Sequence, residues 1–126
     1  MKFIWDAKYS VGIKSIDTQH QKFFEICNEI NYLINQHHTD PASISKVVKE
    51  LLNYAEEHLS YEEKYFKEFN YPDTDSHIAA HNLFREKIIQ FHNANEIADF
   101  SRDWLSGHIL AVDQKYSQFF IVHDLK

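Results

Sequence analysis

Apolar residues recur at steps of three and four along four stretches of this chain, and that period predicts four helices. Ile16, His20, Phe23, Cys27, Ile30 and Ile34 share one face of the first, and Ile44, Val48, Leu51, Ala55, His58, Glu62 and Tyr65 one face of the second. His77, His81, Phe84, Ile88 and Phe91 mark the third, and Ile97, Phe100, Trp104, His108 and Ala111 the fourth. The breaks carry capping chemistry. Asp40-Pro41 pairs an N-cap with a proline at the first helical position. Asn70-Tyr71-Pro72-Asp73-Thr74 ends one helix and offers Asp73 or Thr74 to start the next, and Asn93-Ala94-Asn95-Glu96 has capping-box spacing. Short connections make consecutive helices antiparallel, so the expected fold is all-α: an up-down-up-down four-helix bundle in a single domain over residues 1–126. Residues 1–15 are expected as an N-terminal arm packed on the bundle, and the chain after about Tyr116 as a short tail.

Seven polar residues interrupt the inward stripes: His20, His58, Glu62, His77, His81, His108 and Asp113. His58 and Glu62, like His77 and His81, are four apart and so project from one helical face. In this topology the start of helix 1, the end of helix 2, the start of helix 3 and the end of helix 4 meet at one end of the bundle. At about 1.5 Å rise per residue, all seven fall in one slab there. His37, His38 and His92 map to the other end and His123 to the tail. One spacing does not fit: His108 and Asp113 are five apart, which turns an ideal helix by about 140°. Either a π-bulge, with Gly107 marking the irregularity, brings them into line, or Asp113 reaches in from a fraying last turn.

An inward carboxylate such as Glu62 needs a cation, and no Lys or Arg shares its level on the inward faces. Five imidazoles and two carboxylates are too many for one metal and suit two. With two bridging carboxylates and one solvent-derived oxide or hydroxide bridge, two six-coordinate ions are left with a single vacant position, which invites a small molecule. Structural zinc prefers four ligands drawn from sulfur and nitrogen, and calcium and magnesium prefer oxygen shells. Imidazole with carboxylate suits iron, with manganese the lesser choice. The repeated Glu-x-x-His of the ferritin-like di-iron proteins is absent, so the donor set is richer in histidine and stabilises high-valent iron less. That favours reversible oxygen binding over oxygen cleavage.

Composition narrows the partners. A formal charge of −6 argues against nucleic acid and anionic membrane surfaces. The single cysteine, Cys27, fits a reducing compartment, and nothing reads as a signal peptide or a spanning segment, so a cytoplasmic monomer is expected.

The chain resembles the hemerythrin family, its bacterial single-domain members above all. The resemblance rests on Trp5, Val11-Gly12-Ile13, Ile16-Asp17, Gln19-His20, and His58 with Glu62-Glu63. It continues through Tyr71-Pro72, His77, His81, Trp104-Leu105, His108-Ile109, Asp113 and Tyr116. Myohemerythrin exemplifies the topology. The resemblance implies an oxo- or hydroxo-bridged di-iron centre that binds dioxygen for storage, delivery or scavenging. His77, His81 and His108 would hold one iron and His20 with His58 the other, with Glu62 and Asp113 bridging. Phe23, Leu59, Trp104 and Ile109 would wall the oxygen pocket, with Leu59 and Trp104 bordering the two-histidine iron. Leu59 departs from the Phe common in relatives. Because no general base or organic-substrate pocket is legible, the reading is a binding protein and not an enzyme. A di-iron oxidase or peroxidase and an oxygen or iron sensor are the rivals.

Overall fold

The computed structural model describes residues 3–36 and 40–125, so His37 and His38 lie outside the described residues. A short 3-10 turn, Ala7–Tyr9, precedes α1 (Lys14–Ile34), α2 (Pro41–Glu68), α3 (Thr74–Ile88) and α4 (Ala94–His108). A π-helical segment, Ile109–Asp113, then runs directly into α5 (Gln114–Val122). No strand occurs among the described residues. Helix α1 packs on α2 and α4, and α3 on the same two, which closes the four-helix bundle. No helix of the described residues is long and apolar enough to cross a membrane.

The caps follow from the sequence. Asp40 accepts a hydrogen bond from the Ser43 amide at 2.8 Å ahead of Pro41. The Asn93 side chain accepts from the Asn95 and Glu96 amides. Helix α2 ends with Asn70 in the left-handed region, φ 56°. The Tyr71 amide donates to Phe66 O at 2.9 Å and the Asn70 amide to Lys67 O, while the Tyr71 and Phe66 rings stack at 5.1 Å. This is a Schellman stop with its hydrophobic contact, asparagine standing where glycine is commoner.

The N-terminal arm packs on the bundle as expected. Phe3 exchanges two backbone hydrogen bonds with the Asn28 side chain and stacks on Phe24. Asp17 accepts from the Val11 amide, and Ser117 Oγ donates to Val11 O. Gly12 turns the chain at φ 75°, where a Cβ would press on Ile121 at 3.3 Å.

The C-terminal tail expected after Tyr116 is corrected: the chain there is helical through Val122. Tyr116 and Phe120 are fully buried and four apart, so the apolar stripe continues past the expected boundary. Ala111, by contrast, leaves the stripe and is exposed, because the π segment turns the intervening residues outward.

Candidate metal centre

All seven residues singled out in the sequence converge, and each is buried. Every histidine aims its Nε2 into the cluster. On one side stand His77, His81 and His108. His77 and His81 approach Glu62 Oε1 at 3.6 and 3.2 Å, while His77 and His108 approach Asp113 Oδ1 at 3.0 and 2.9 Å. On the other side stand His20 and His58. These approach Glu62 Oε2 at 3.7 and 3.3 Å, and His20 approaches Asp113 Oδ2 at 3.3 Å. Each carboxylate therefore divides its two oxygens between the two groups of histidines. Ligand atoms of Glu62, His77, His81, His108 and Asp113 lie within 4.8 Å of one another, and so do those of His20, His58, Glu62 and Asp113.

The π segment makes this possible. With Ile109–Asp113 π-helical, the extra residue is absorbed within one turn and Asp113 returns to the face of His108. Of the two explanations left open by the five-residue spacing, the bulge is the one present. Gly107 is not its cause: it lies in regular α4, and a Cβ there would meet nothing within 4 Å.

The arrangement fits cations. Glu62 Oε1, both Asp113 oxygens, and the Nε2 atoms of His20 and His81 are buried without hydrogen-bond partners. His77 Nε2 and His108 Nε2 face each other at 3.2 Å, where either one ring donates an Nε2 proton to the other or both turn their lone pairs to a shared cation. In the bare protein the cluster must find positive charge in protons. Burial opposes charge on His20, but Asp113 and Glu62 outweigh it and lift its pKa to about 9. His81 likewise rises to about 9 against burial, through Glu62 and Glu63. Burial prevails at His58 and lowers it. Burial also opposes ionisation of Glu62, yet His58, His20 and His81 hold its carboxyl well below the ordinary range. Asp113 is lowered too, by His108 and His20 acting against burial and the Glu62 charge.

Three supporting residues were not assigned these roles from the sequence. Gln19 Oε1 accepts from His58 Nδ1 at 2.7 Å, and Glu63 Oε2 accepts from His81 Nδ1 at 2.8 Å. Each partner fixes the tautomer that leaves Nε2 free. Tyr116 donates its hydroxyl to Glu62 Oε2 at 2.6 Å; burial and the neighbouring Asp113 and Glu62 charges push its pKa far up, so it remains a donor. Gln19 and Glu63 each sit one residue from a cluster residue, about 100° around the helix, which aims them at the adjacent helix. Gln19→Ala is expected to weaken metal binding about 10- to 100-fold by freeing the His58 ring, measured by competition with a chelator. An unchanged affinity would remove Gln19 from this role.

Among the apolar residues, Phe23, Leu59 and Ile109 are essentially inaccessible. Trp104 is half-buried and stacks on His108, with centroids 4.3 Å apart and planes 15° apart; it also meets His81 and Phe84. The expectation that Trp104 borders the two-histidine group is therefore corrected. One turn before His108, its ring follows that imidazole to the three-histidine side. A cleft of about 260 Å³ lined by Gln19, Tyr54, Glu57, His58 and Tyr61 reaches the outer side of His58.

Comparison with known proteins agrees with this geometry. Residues 11–120 match the family model described as the hemerythrin HHE cation binding domain. A bacteriohemerythrin of Clostridium acetobutylicum is 32% identical over 126 aligned residues, covering 90% of this chain and 98% of the relative. A hemerythrin-like protein of Naegleria gruberi is 30% identical over 115 residues, covering 90% of each chain. The crystal structure of a wild-type hemerythrin superposes with a TM-score of 0.79 at 23% identity, covering 94% of this chain and 97% of its own, which speaks to the fold.

Proposed function

The chain belongs to the hemerythrin family, and from that membership we propose that it holds two iron ions in the seven-residue cluster and binds dioxygen reversibly. The observation that carries the reading is the division of Glu62 and Asp113 oxygens between three histidines and two. Glu62 and Asp113, placed in this way, would be shared by two ions, and the five imidazoles would hold those ions at either side. The three-histidine side offers five protein atoms and the two-histidine side four, so a small ligand would find room on the latter. When bound, the iron pair supplies the two electrons that dioxygen takes up and returns.

The protein's own contribution is to hold this donor set dry and neutralised. Tyr116 anchors Glu62 through its hydroxyl, and Gln19 and Glu63 set the rings of His58 and His81. Phe23, Leu59 and Ile109 are proposed to wall the oxygen pocket, since burial to this degree excludes the water and anions that would displace a bound ligand. Trp104 closes the cluster from the His108 side. The imidazole-rich donor set supports binding over turnover, and we read the protein as a carrier or store and not an enzyme.

The experiment is elemental analysis followed by cycles of anaerobic reduction and air exposure, read in the visible spectrum. Two irons per polypeptide, haem-free, with a band that returns over several cycles, is the expected result. One zinc per chain, iron well below two, or steady oxygen consumption would overturn it. Leu59→Phe is expected to slow oxygen exchange at constant iron content, since added bulk narrows the pocket. Trp104→Ala is expected to speed autoxidation and azide entry by opening the His108 side. Unchanged adduct lifetime and azide rate in both would make these residues plain packing.

A further inference from the structure

We propose that Arg85 sets the reduction potential of the three-histidine side, acting as a positioning residue through Glu63 and His81; this rests on the iron-binding reading above. Glu63 Oε2 is shared. It accepts from His81 Nδ1 at 2.8 Å and from Arg85 Nη1 at 2.7 Å, while Arg85 Nη2 reaches Glu63 Oε1 at 3.2 Å. The same guanidinium spends its Nε on Glu56 Oε2 at 2.9 Å and Nη2 on Glu56 Oε1 at 3.1 Å, and Nη1 also meets Asn82 Oδ1 at 3.0 Å. Glu56 and Glu63 are two turns apart on one face of α2, and Arg85 lies one turn beyond His81 on α3. The helix pairing that brings His81 to Glu62 therefore also brings Arg85 between the two glutamates.

A carboxylate oxygen that accepts from a guanidinium has less electron density for a second donor. Arg85 thus limits how strongly Glu63 draws on the His81 Nδ1 proton, and so how strongly the opposite Nε2 donates to a metal. A weaker donor favours the reduced, oxygen-binding form. Glu56 works against this, because it competes with Glu63 for the same cation. Exposure increases outward, from 15% for the Glu63 side chain to 25% for Arg85 and 57% for Glu56. Ion pairs this exposed contribute little to stability, so a pure helix-to-helix latch does not account for the convergence on Glu63 Oε2.

The test is redox titration of the iron-loaded full chain. Arg85→Met should lower the reduced-to-oxidised ratio at fixed potential about tenfold, or about 59 mV for a one-electron step. Glu56→Gln should raise that ratio, since the guanidinium then acts on Glu63 alone. Placed on Glu63→Gln, Arg85→Met should lose its effect, which a double-mutant cycle reads directly. A shift that survives in Glu63→Gln would mean through-space charge and overturn the route through His81. Shifts of the same sign in Arg85→Met and Glu56→Gln, or no shift in either, would reduce the network to a latch. A second arm needs no iron. In the zinc-loaded chain, the His81 Nδ1 proton resonance should move downfield in Arg85→Met and upfield in Glu56→Gln. An unmoved resonance overturns the proposal, whereas a wild-type chain that takes up no iron overturns the functional reading and leaves this arm to decide on Arg85.

Discussion

Glu62→Ala and Asp113→Ala should each strip the chain of the proposed metal pair, whereas His20→Ala should leave much of it in place. Glu62 presents Oε1 to His77 and His81 and Oε2 to His20 and His58, so its loss removes a donor from both groups at once. Asp113 stands in the same relation, with Oδ1 toward His77 and His108 and Oδ2 toward His20. It also loses the negative charge that offsets repulsion between two cations. His20 supplies one nitrogen to one group, and solvent can take its place. The carboxylate variants should suffer without metal as well. Asp113 and Glu62 raise the pKa of His20, and Glu62 with Glu63 that of His81, and removing one partner of a buried ion pair costs about 3–5 kcal/mol. Glu62→Gln keeps the shape and removes the charge, so it separates packing from electrostatics. Metal per chain after gel filtration and the Tm of the metal-free forms are the two measurements. Equal metal loss in all three alanine variants would contradict the bridging roles.

The bundle and the cluster were legible because both rest on period. Stripes at three and four placed the helices, and antiparallel order placed His20, His58, Glu62, His77 and His81 in one slab. Asp113 was legible only as an exception, since its five-residue spacing required a backbone irregularity that no residue type encodes. Gly107 drew attention as the marker, but a helical glycine with open space above it carries no such instruction. The supporting residues were harder. Gln19 and Glu63 act between helices, so their partners depend on crossing geometry and not on spacing within one helix. Trp104 was placed on the wrong side of the cluster for the same reason: its register was right, but the direction of its ring is set by stacking on His108. The tail was mistaken because the π segment breaks the stripe at Ala111, and the apolar pattern resumes at Tyr116 and Phe120 in a new phase.

Phe66→Ala should be the most destabilising single change in the apolar core next to the site, and it should loosen the metal as well. Phe66 is fully buried, stacks on Tyr71 and Phe120 at 5.1 and 5.3 Å, and meets Tyr116 at 5.6 Å. Its main-chain carbonyl accepts the Tyr71 amide that stops α2, a bond alanine would keep, so what the substitution removes at that helix end is the ring's stack on Tyr71. Truncating a buried phenylalanine costs about 3–5 kcal/mol. Against a total stability of about 5–15 kcal/mol, that lowers Tm by roughly ten degrees or more. The functional part comes from its contact with His77, at 4.5 Å between centroids. The space left behind would lie against that imidazole, where a polar rim lets water enter and the ring swing. Phe120→Ala is the control. Phe120 is as buried and touches Phe66 and Tyr116, and its loss should cost similar stability one layer farther from the histidines. Thermal unfolding should therefore rank the two variants together, while release of metal to a chelator at a temperature where both are folded should be faster in Phe66→Ala. Equal release rates would show that Phe66 supports the fold and not the position of His77.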